Sequence, residues 1–472
     1  MAENEMTDLQ FKAQKDEPGF WSGALFGMFT GIASLLSYQY LSGILREPRL
    51  ISKAVFSEEG KIENKEVLAM FIAAENLRSG IQTRFLKRGM SKTILHAGYR
   101  NFRESWARDF GFAAYGMIAI EQFDSVRETL DAFFSHQKED GQLPVKLHSM
   151  NVLTRFLHSR LGREQSTERM LRPKYISAHG APSLDGQALL IIAASHYVNE
   201  TEDSGFLDQY WDQLTLATKW LQGNKKGIHG ILLSQNAYAD WADSVARRGC
   251  VLYTNVIYWK ALSDMARTAA SLDRNDEAVL YVAEAESVSR SINERLWNPD
   301  LGYFATSESL EQLSSAGNLL AIAWDLASRE QAASILRVMK EARMSEPVPT
   351  RVAYPSYPIG LISIENRLGG LANYHTDASW LWIGAWHVIA LTRHGDMAQA
   401  QEVMERIANV IVQDRQVNEV HGPDGEPLSS FWYRSEAPLT WNAGMVLYAY
   451  QTYEKELRAE TNILSMLEGI RV

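Results

Sequence analysis

Twelve stretches of helical period follow one another along this chain, each roughly 12 to 20 residues long, with no sustained alternation of strand and helix between them. They run from Lys65 to Phe85, Phe110 to Ile120, Phe123 to Gln137, Leu184 to Val198, Phe206 to Gln222 and Val251 to Leu272. The series continues with Asp276 to Leu296, Ala316 to Leu326, Arg329 to Ala342, Thr376 to Arg393, Met397 to Gln413 and Trp441 to Arg458. The loops between them are rich in Gly, Pro, Asp and Asn. Such an order argues against a doubly wound sheet and for an all-α fold. Trp297-Asn298-Pro299-Asp300-Leu301-Gly302 reads as a tight turn after a helix end, and Lys138 to Pro144 is similar. Helices paired by short turns, with long loops at the opposite end, describe a double ring. A ring of this kind gathers its long loops into one funnel, a natural place for a ligand.

Composition narrows the partners. With 46% hydrophobic residues the chain can bury a large core, and its thirteen Trp and nineteen Tyr suit sugar-stacking clefts as well as interiors. A net charge of -10, with no basic stripe, argues against nucleic acid. Cys250 is the only cysteine, so no intramolecular disulfide can form, which favours a reducing compartment.

Residues 1–19 form a polar tail, and 20–61 hold a hydrophobic segment and linker before a catalytic domain expected over 62–472. Phe20 to Leu45 is 26 residues without a charge, long enough to span a bilayer, with Gly23, Gly27 and Gly31 forming a small-residue ridge. Four Ser, a Thr and a Gln temper its hydropathy, and the basic start of a signal peptide is missing. Two readings stand: a membrane-associated helix, or a helix packed on the globular body or a second subunit. With Arg46, Arg49 and Lys53 behind it, either reading leaves the main body in the cytoplasm.

The chemistry-bearing residues lie in the loops. Tyr238 to Gly249 sets Asp240 and Asp243 around Trp241, followed by Arg247 and Arg248. Trp106-Ala107-Arg108-Asp109, Leu184-Asp185, Tyr374-His375 to Trp380, Asn418-Glu419-Val420 and Trp432-Tyr433 repeat the theme of a carboxylate or aromatic ring near a helix start. Capping of helix N-termini is one role for Asp109, Asp185 and Asp377. Carbohydrate binding asks for the same residues, since planar apolar faces meet the C–H surface of a sugar and charged groups grip its hydroxyls.

These motifs resemble the amylo-α-1,6-glucosidase domain of glycogen debranching enzymes, glycoside hydrolase family 133, and more loosely other inverting glycosidases on (α/α)6 toroids. Ala97-Gly98-Tyr99 through Trp106-Ala107-Arg108-Asp109 is similar to that family's AGY…WGRD segment, with Ala107 in place of Gly. Trp241-Ala242-Asp243 stands where the family has Trp-Met-Asp, and Tyr374-His375 to Trp382 resembles its Tyr-His…Trp-Pro-Trp. Asn418-Glu419-Val420 is similar to its Ser-Glu-Ile-Phe, with His421 replacing the aromatic residue. The resemblance implies an (α/α)6 toroid (six-hairpin glycosidase fold), with an extra N-terminal hydrophobic helix in this chain, and an inverting hydrolase of α-linked glucosides or short oligosaccharides.

By family position Asp243 is the general acid and Glu419 the general base. Trp106, Arg108, Asp109, Asp185, Asp240, Trp241, His375, Trp380, Trp432 and Tyr433 are expected around the sugar. The acid needs a raised pKa, which Trp241 and Asp240 can supply, and Arg247 and Arg248 are expected to point away from it or to contact substrate. No zinc-type spacing, phosphate loop or dinucleotide fingerprint occurs, so no cofactor is implied. The competing readings are another toroid enzyme, such as a sugar phosphorylase or epimerase, or a non-catalytic carbohydrate-binding or membrane-associated protein. The charged insertion 154–174 either closes over the funnel as a lid or lies on the outside, and as a charged loop it is expected to be solvated.

Overall fold

The computed structural model describes residues 37, 39–46, 64–87, 90–225 and 230–470, with side chains to 459. All twelve expected helices are present among them: α1 (Lys65–Ser79), α2 (Ala107–Ala119), α3 (Phe123–Phe134), α4 (Leu184–Thr201), α5 (Ser204–Gln222) and α6 (Leu252–Ser271), then α7 (Asn275–Leu296), α8 (Ser315–Ala323), α9 (Arg329–Glu341), α10 (Leu381–His394), α11 (Met397–Asp414) and α12 (Thr440–Ile470). The even-numbered helices pack each on the next, and α12 returns to α2, so they close an inner ring. Their partners α1, α3, α5, α7, α9 and α11 lie outside, and the fold is the expected (α/α)6 toroid.

Sequence explains which helix goes where. The inner helices are apolar nearly all round: in α10 every residue from Leu381 to Thr392 is buried, as helices wrapped on all sides require. The outer helices keep one polar face, and four of the six start on side-chain caps, α3 and α7 being the exceptions. Asn64 caps α1, Asp203 caps α5, Ser328 with Gln331 forms a capping box on α9, and Asp396 caps α11. By contrast α2, α6, α8 and α10 have no side-chain cap at the start, so their free N–H groups and positive dipole ends face the funnel.

At the hub Phe112 stacks on Trp441 at 5.5 Å and packs edge-on against Trp386 at 6.1 Å. Each such fully buried ring adds about 2–3 kcal/mol of burial free energy. The ring closes where α2 crosses α12 at Gly116 and Gly444, so closely that a Cβ on Gly116 would lie 2.1 Å from the Gly444 carbonyl oxygen.

Three expectations change in detail. The helix foreseen to Phe85 stops at Ser79, because Ile81–Lys87 is a strand paired with Met90–Leu95. The helix foreseen from Thr376 starts at Leu381, because Ser379 and His421 instead exchange backbone hydrogen bonds of 2.9 Å. The insertion 154–174 is held rather than freely solvated. Its helix Val152–Arg160 sends Arg155 to Glu104 and Asn101, Gln165 reaches the Arg100 carbonyl, and buried Arg84 bonds the Thr167 and Arg169 carbonyls.

Most of the hydrophobic segment 20–45 lies outside the described residues. Residues 39–46 are helical, with Ile44 buried and the Tyr40 hydroxyl bonded to Thr154. Among the described residues no helix is long and apolar enough to cross a membrane.

Candidate active site

Four of the six connections from an outer helix to the next inner one, those leading into α2, α6, α10 and α12, deliver side chains to one cavity. Arg108 and Asp109 sit in the first turn of α2, Trp241 and Asp243 in the loop before α6, and Tyr374, His375 and Trp380 before α10. Glu419 and Leu439 precede α12, and Trp441 opens it. Together with Phe102 and Trp106 they line one cavity of about 90 Å³. A larger cavity, about 1090 Å³, opens at the opposite end between the C-terminal ends of inner helices. Four acids line it: Asp264 is tied to Lys260 and Arg267, Asp325 lies 4.0 Å from Arg393, and Glu200 and Glu286 complete the set.

The floor of the funnel is aromatic. Trp241 meets Trp382 edge-on at 5.0 Å, Trp380 at 5.6 Å and His375 at 5.0 Å. His375 stacks on Trp380 at 5.3 Å and shares a 2.9 Å hydrogen bond with Ser244. Burial, then the charges of Arg247 and Arg108, holds its pKa well below the ordinary value, so it is neutral. The indole N–H groups of Trp106, Trp241 and Trp441 are buried without an acceptor among the described residues. Such donors at a cavity wall suit a ligand rich in hydroxyls.

The two expected catalytic carboxyls differ in setting. Glu419 is 2% exposed and accepts from the Tyr374 hydroxyl at Oε1, and from the Tyr433 hydroxyl and the Glu436 N–H (2.9 Å) at Oε2. Three donors favour the ionised form, yet burial outweighs them and raises its pKa to about 7. Asp243 has half its side chain open to the funnel and lies 4.0 Å from His375 Nδ1. The surrounding walls displace enough water to raise its pKa to about 6, with Arg108 opposing and Asp240 assisting. Asp109 is raised to about 7, again mainly by burial.

Four residues assigned to sugar contact from sequence do not line the cavity: Asp185, Asp240, Trp432 and Tyr433. Asp185 is spent on a bidentate pair with Arg108 (2.6 and 3.1 Å) and on the Ser183 hydroxyl and Gly186 N–H at the start of α4. Asp240 is 1% exposed and pairs with Arg247 at 2.6 Å, which also turns Arg247 away from Asp243. Buried carboxylates take such partners because an unpaired one costs several kcal/mol.

Trp432 is exposed on the rim against Phe431, and Tyr433 stands behind Glu419. Tyr374, Phe102, Leu439 and Trp441 line the cavity although sequence reasoning assigned them no role. Tyr374 was visible beside His375 in the Tyr-His motif. Glu436 was also missed: its buried carboxylate accepts the Tyr99, Arg100 and Asn101 N–H groups, so it pins the 98–101 loop beside Glu419. Among the described residues no group of three or more His, Cys, Asp or Glu side chains is arranged to hold a metal.

The bacterial α-L-rhamnosidase six-hairpin glycosidase domain matches residues 148–347. Among solved structures, a rhamnosidase from Klebsiella oxytoca with rhamnose bound superposes with a TM-score of 0.60 at 13% identity. That likeness covers 83% of this chain but 64% of the rhamnosidase, so the chain spans less than two thirds of that protein's length. A GH63 mannosylglycerate hydrolase from Thermus thermophilus, in complex with glucose, gives 0.59 at 13% identity, covering 80% of this chain and 99% of that one. No curated protein sequence matches the chain. The fold is thus the six-hairpin glycosidase fold, and residues 148–347 match a glycosidase domain of that fold.

Proposed function

We propose that this protein is an inverting glycoside hydrolase acting on an α-linked glucoside or short oligosaccharide, similar to the amylo-α-1,6-glucosidases. One observation carries the reading: Asp243 and Glu419 line a single aromatic-walled cavity, one carboxyl open to the funnel and the other fixed from behind by three donors. Inversion needs an acid that protonates the departing oxygen and a base that activates water on the opposite face of the ring. Asp243, raised by burial, is the acid. Glu419, held as an acceptor by Tyr374, Tyr433 and the Glu436 N–H, is the base, with lone pairs left to take a proton from water. The cavity is small beside the roughly 300–1,000 Å³ of typical ligand pockets, which favours one terminal sugar at the floor and the leaving group in the funnel.

Phosphorolysis is disfavoured because Arg108 is already engaged by Asp185, and Asp109, Asp243 and Glu419 would repel a phosphate. A second reading, hydrolysis of an α-L-rhamnoside, has the match over 148–347 in its favour, since that span contains Asp243. A panel of α-glucosides, isomaltosides, trehalose, sucrose and α-L-rhamnosides, with the first-formed anomer read by proton NMR, tests both. Cleavage of a glucoside with inversion, lost in Asp243→Asn and Glu419→Gln, is the expected result. Retention of configuration, or unchanged activity in both variants, would remove the mechanism, and cleavage of rhamnosides alone would replace the substrate.

A further inference from the structure

The face around the funnel mouth carries large apolar side chains that no part of the described structure covers. Val152 and Leu153 are 61% and 64% exposed at the start of the Val152–Arg160 helix, and Phe431 and Trp432 are 73% and 58% exposed on the rim. Contacts tie these to one another and to the N-terminal helix. The Tyr40 hydroxyl bonds Thr154, which sets residues 39–46, with Leu41 and Leu45 exposed, against that helix. At its other end the Arg160 guanidinium lies 5.7 Å from the Phe431 ring centre. Tyr433, next to Trp432, donates to Glu419, so this surface lies close to the wall of the cavity.

Charge is distributed unevenly in the same place. Residues 154–174 hold six basic and two acidic side chains, a net charge of +4 in a chain of net charge -10. Arg155 is occupied by Glu104, whereas Arg160, Arg169 and Arg172 are exposed among the apolar residues. Apolar side chains interleaved with exposed arginines characterise surfaces that lie in the headgroup region of anionic bilayers. In the sequence, the run Phe20 to Leu36 carries no charge and leads directly into the helix on this face.

We infer that the funnel-mouth face docks on an anionic lipid bilayer. Docked in this way the funnel opens toward the headgroups, and, on the glycosidase reading above, the sugar it receives is the head of a membrane-borne glycoside.

Flotation of the full chain with phosphatidylcholine vesicles, with and without phosphatidylglycerol, tests the docking. Partition onto the phosphatidylglycerol-containing vesicles, weakened by salt, is expected. The surface variants Val152→Glu with Leu153→Glu, and Arg160→Glu, are each expected to lower it by about tenfold or more. Unchanged helical circular dichroism and melting show that the variants are folded. Absence of partition, equal partition onto neutral vesicles, or equal partition of the variants would overturn the inference. So would a dimer in lipid-free sedimentation that the same substitutions dissolve, since a second copy would then cover the face. Flotation does not depend on catalysis, so a failure of the glycosidase assignment leaves its result readable.

Discussion

Replacing Glu419 by Gln keeps the shape and most of the hydrogen bonding of the base but removes its charge, and two consequences of opposite sign follow. For catalysis, a positioned general base contributes about 10²- to 10⁴-fold, so kcat is expected to fall by about a thousandfold, near 4 kcal/mol of barrier. For stability the sign reverses. The carboxyl is moved from its ordinary 4.5 to about 7 by burial, which at 1.36 kcal/mol per tenfold change makes its ionised form cost about 3 kcal/mol in the fold.

A group whose folded pKa is raised binds more protons folded than unfolded, so its contribution is present at low pH and lost as pH rises from about 4.5 through 7. Between pH 5 and pH 8 the wild type should therefore lose about 2.5 kcal/mol through this one group, while Glu419→Gln loses none of it. Urea unfolding followed by tryptophan fluorescence at both pH values, alongside steady-state kinetics, measures the two effects. Activity above about a tenth of wild type would refute the role as base. Identical pH dependence of stability in both proteins would refute the claim that burial dominates the three donors.

Other outcomes follow from the same geometry. Because Asp243 lies near 6 and Glu419 near 7, a protonated Asp243 facing an ionised Glu419 is the minority form of the coupled pair at every pH, so the profile of kcat/KM should be a narrow, low bell with limbs near 6 and 7. A single broad plateau from about pH 4 to 9 would rule out two such carboxyls. Asp243→Asn should slow natural glycosides by about a thousandfold but nitrophenyl glycosides far less, because a good leaving group needs little protonation. Asp185→Asn strands Arg108 without its partner and should cost about 3–5 kcal/mol in urea unfolding. Gly116→Ala should cost more than about 2 kcal/mol, because the new methyl group would overlap the Gly444 carbonyl of a helix that cannot move aside.

Helix number and order were legible because burial imposes its period directly on the residues: the apolar wrap of α10 and the one-sided α9 announce inner and outer positions. The hairpin Ile81–Lys87 with Met90–Leu95 was not, since its first residues continue the apolar spacing of α1, and only the pairing partner decides the outcome. In the site, sequence pointed to loops rich in acids and aromatic rings but not to how the acids divide. Asp185 and Asp240 differ from Asp109 and Asp243 by having an arginine within reach in the folded ring, and those arginines lie 77 and 7 positions away in the chain. Glu436 escaped notice because its work is done on backbone N–H groups more than three hundred positions upstream, which carry no side-chain signature.

The seam where the ring shuts runs through the reaction centre. Glu436 grips the 99–101 backbone, Thr440 bonds the His96 and Ala97 carbonyls, and the same strand of chain presents Glu419 its backbone donor. The first and last hairpins are therefore fastened by the groups that hold Glu419. Because these contacts join residues 96–101 to residues 436–440, the funnel is complete only when the two ends of the ring have met.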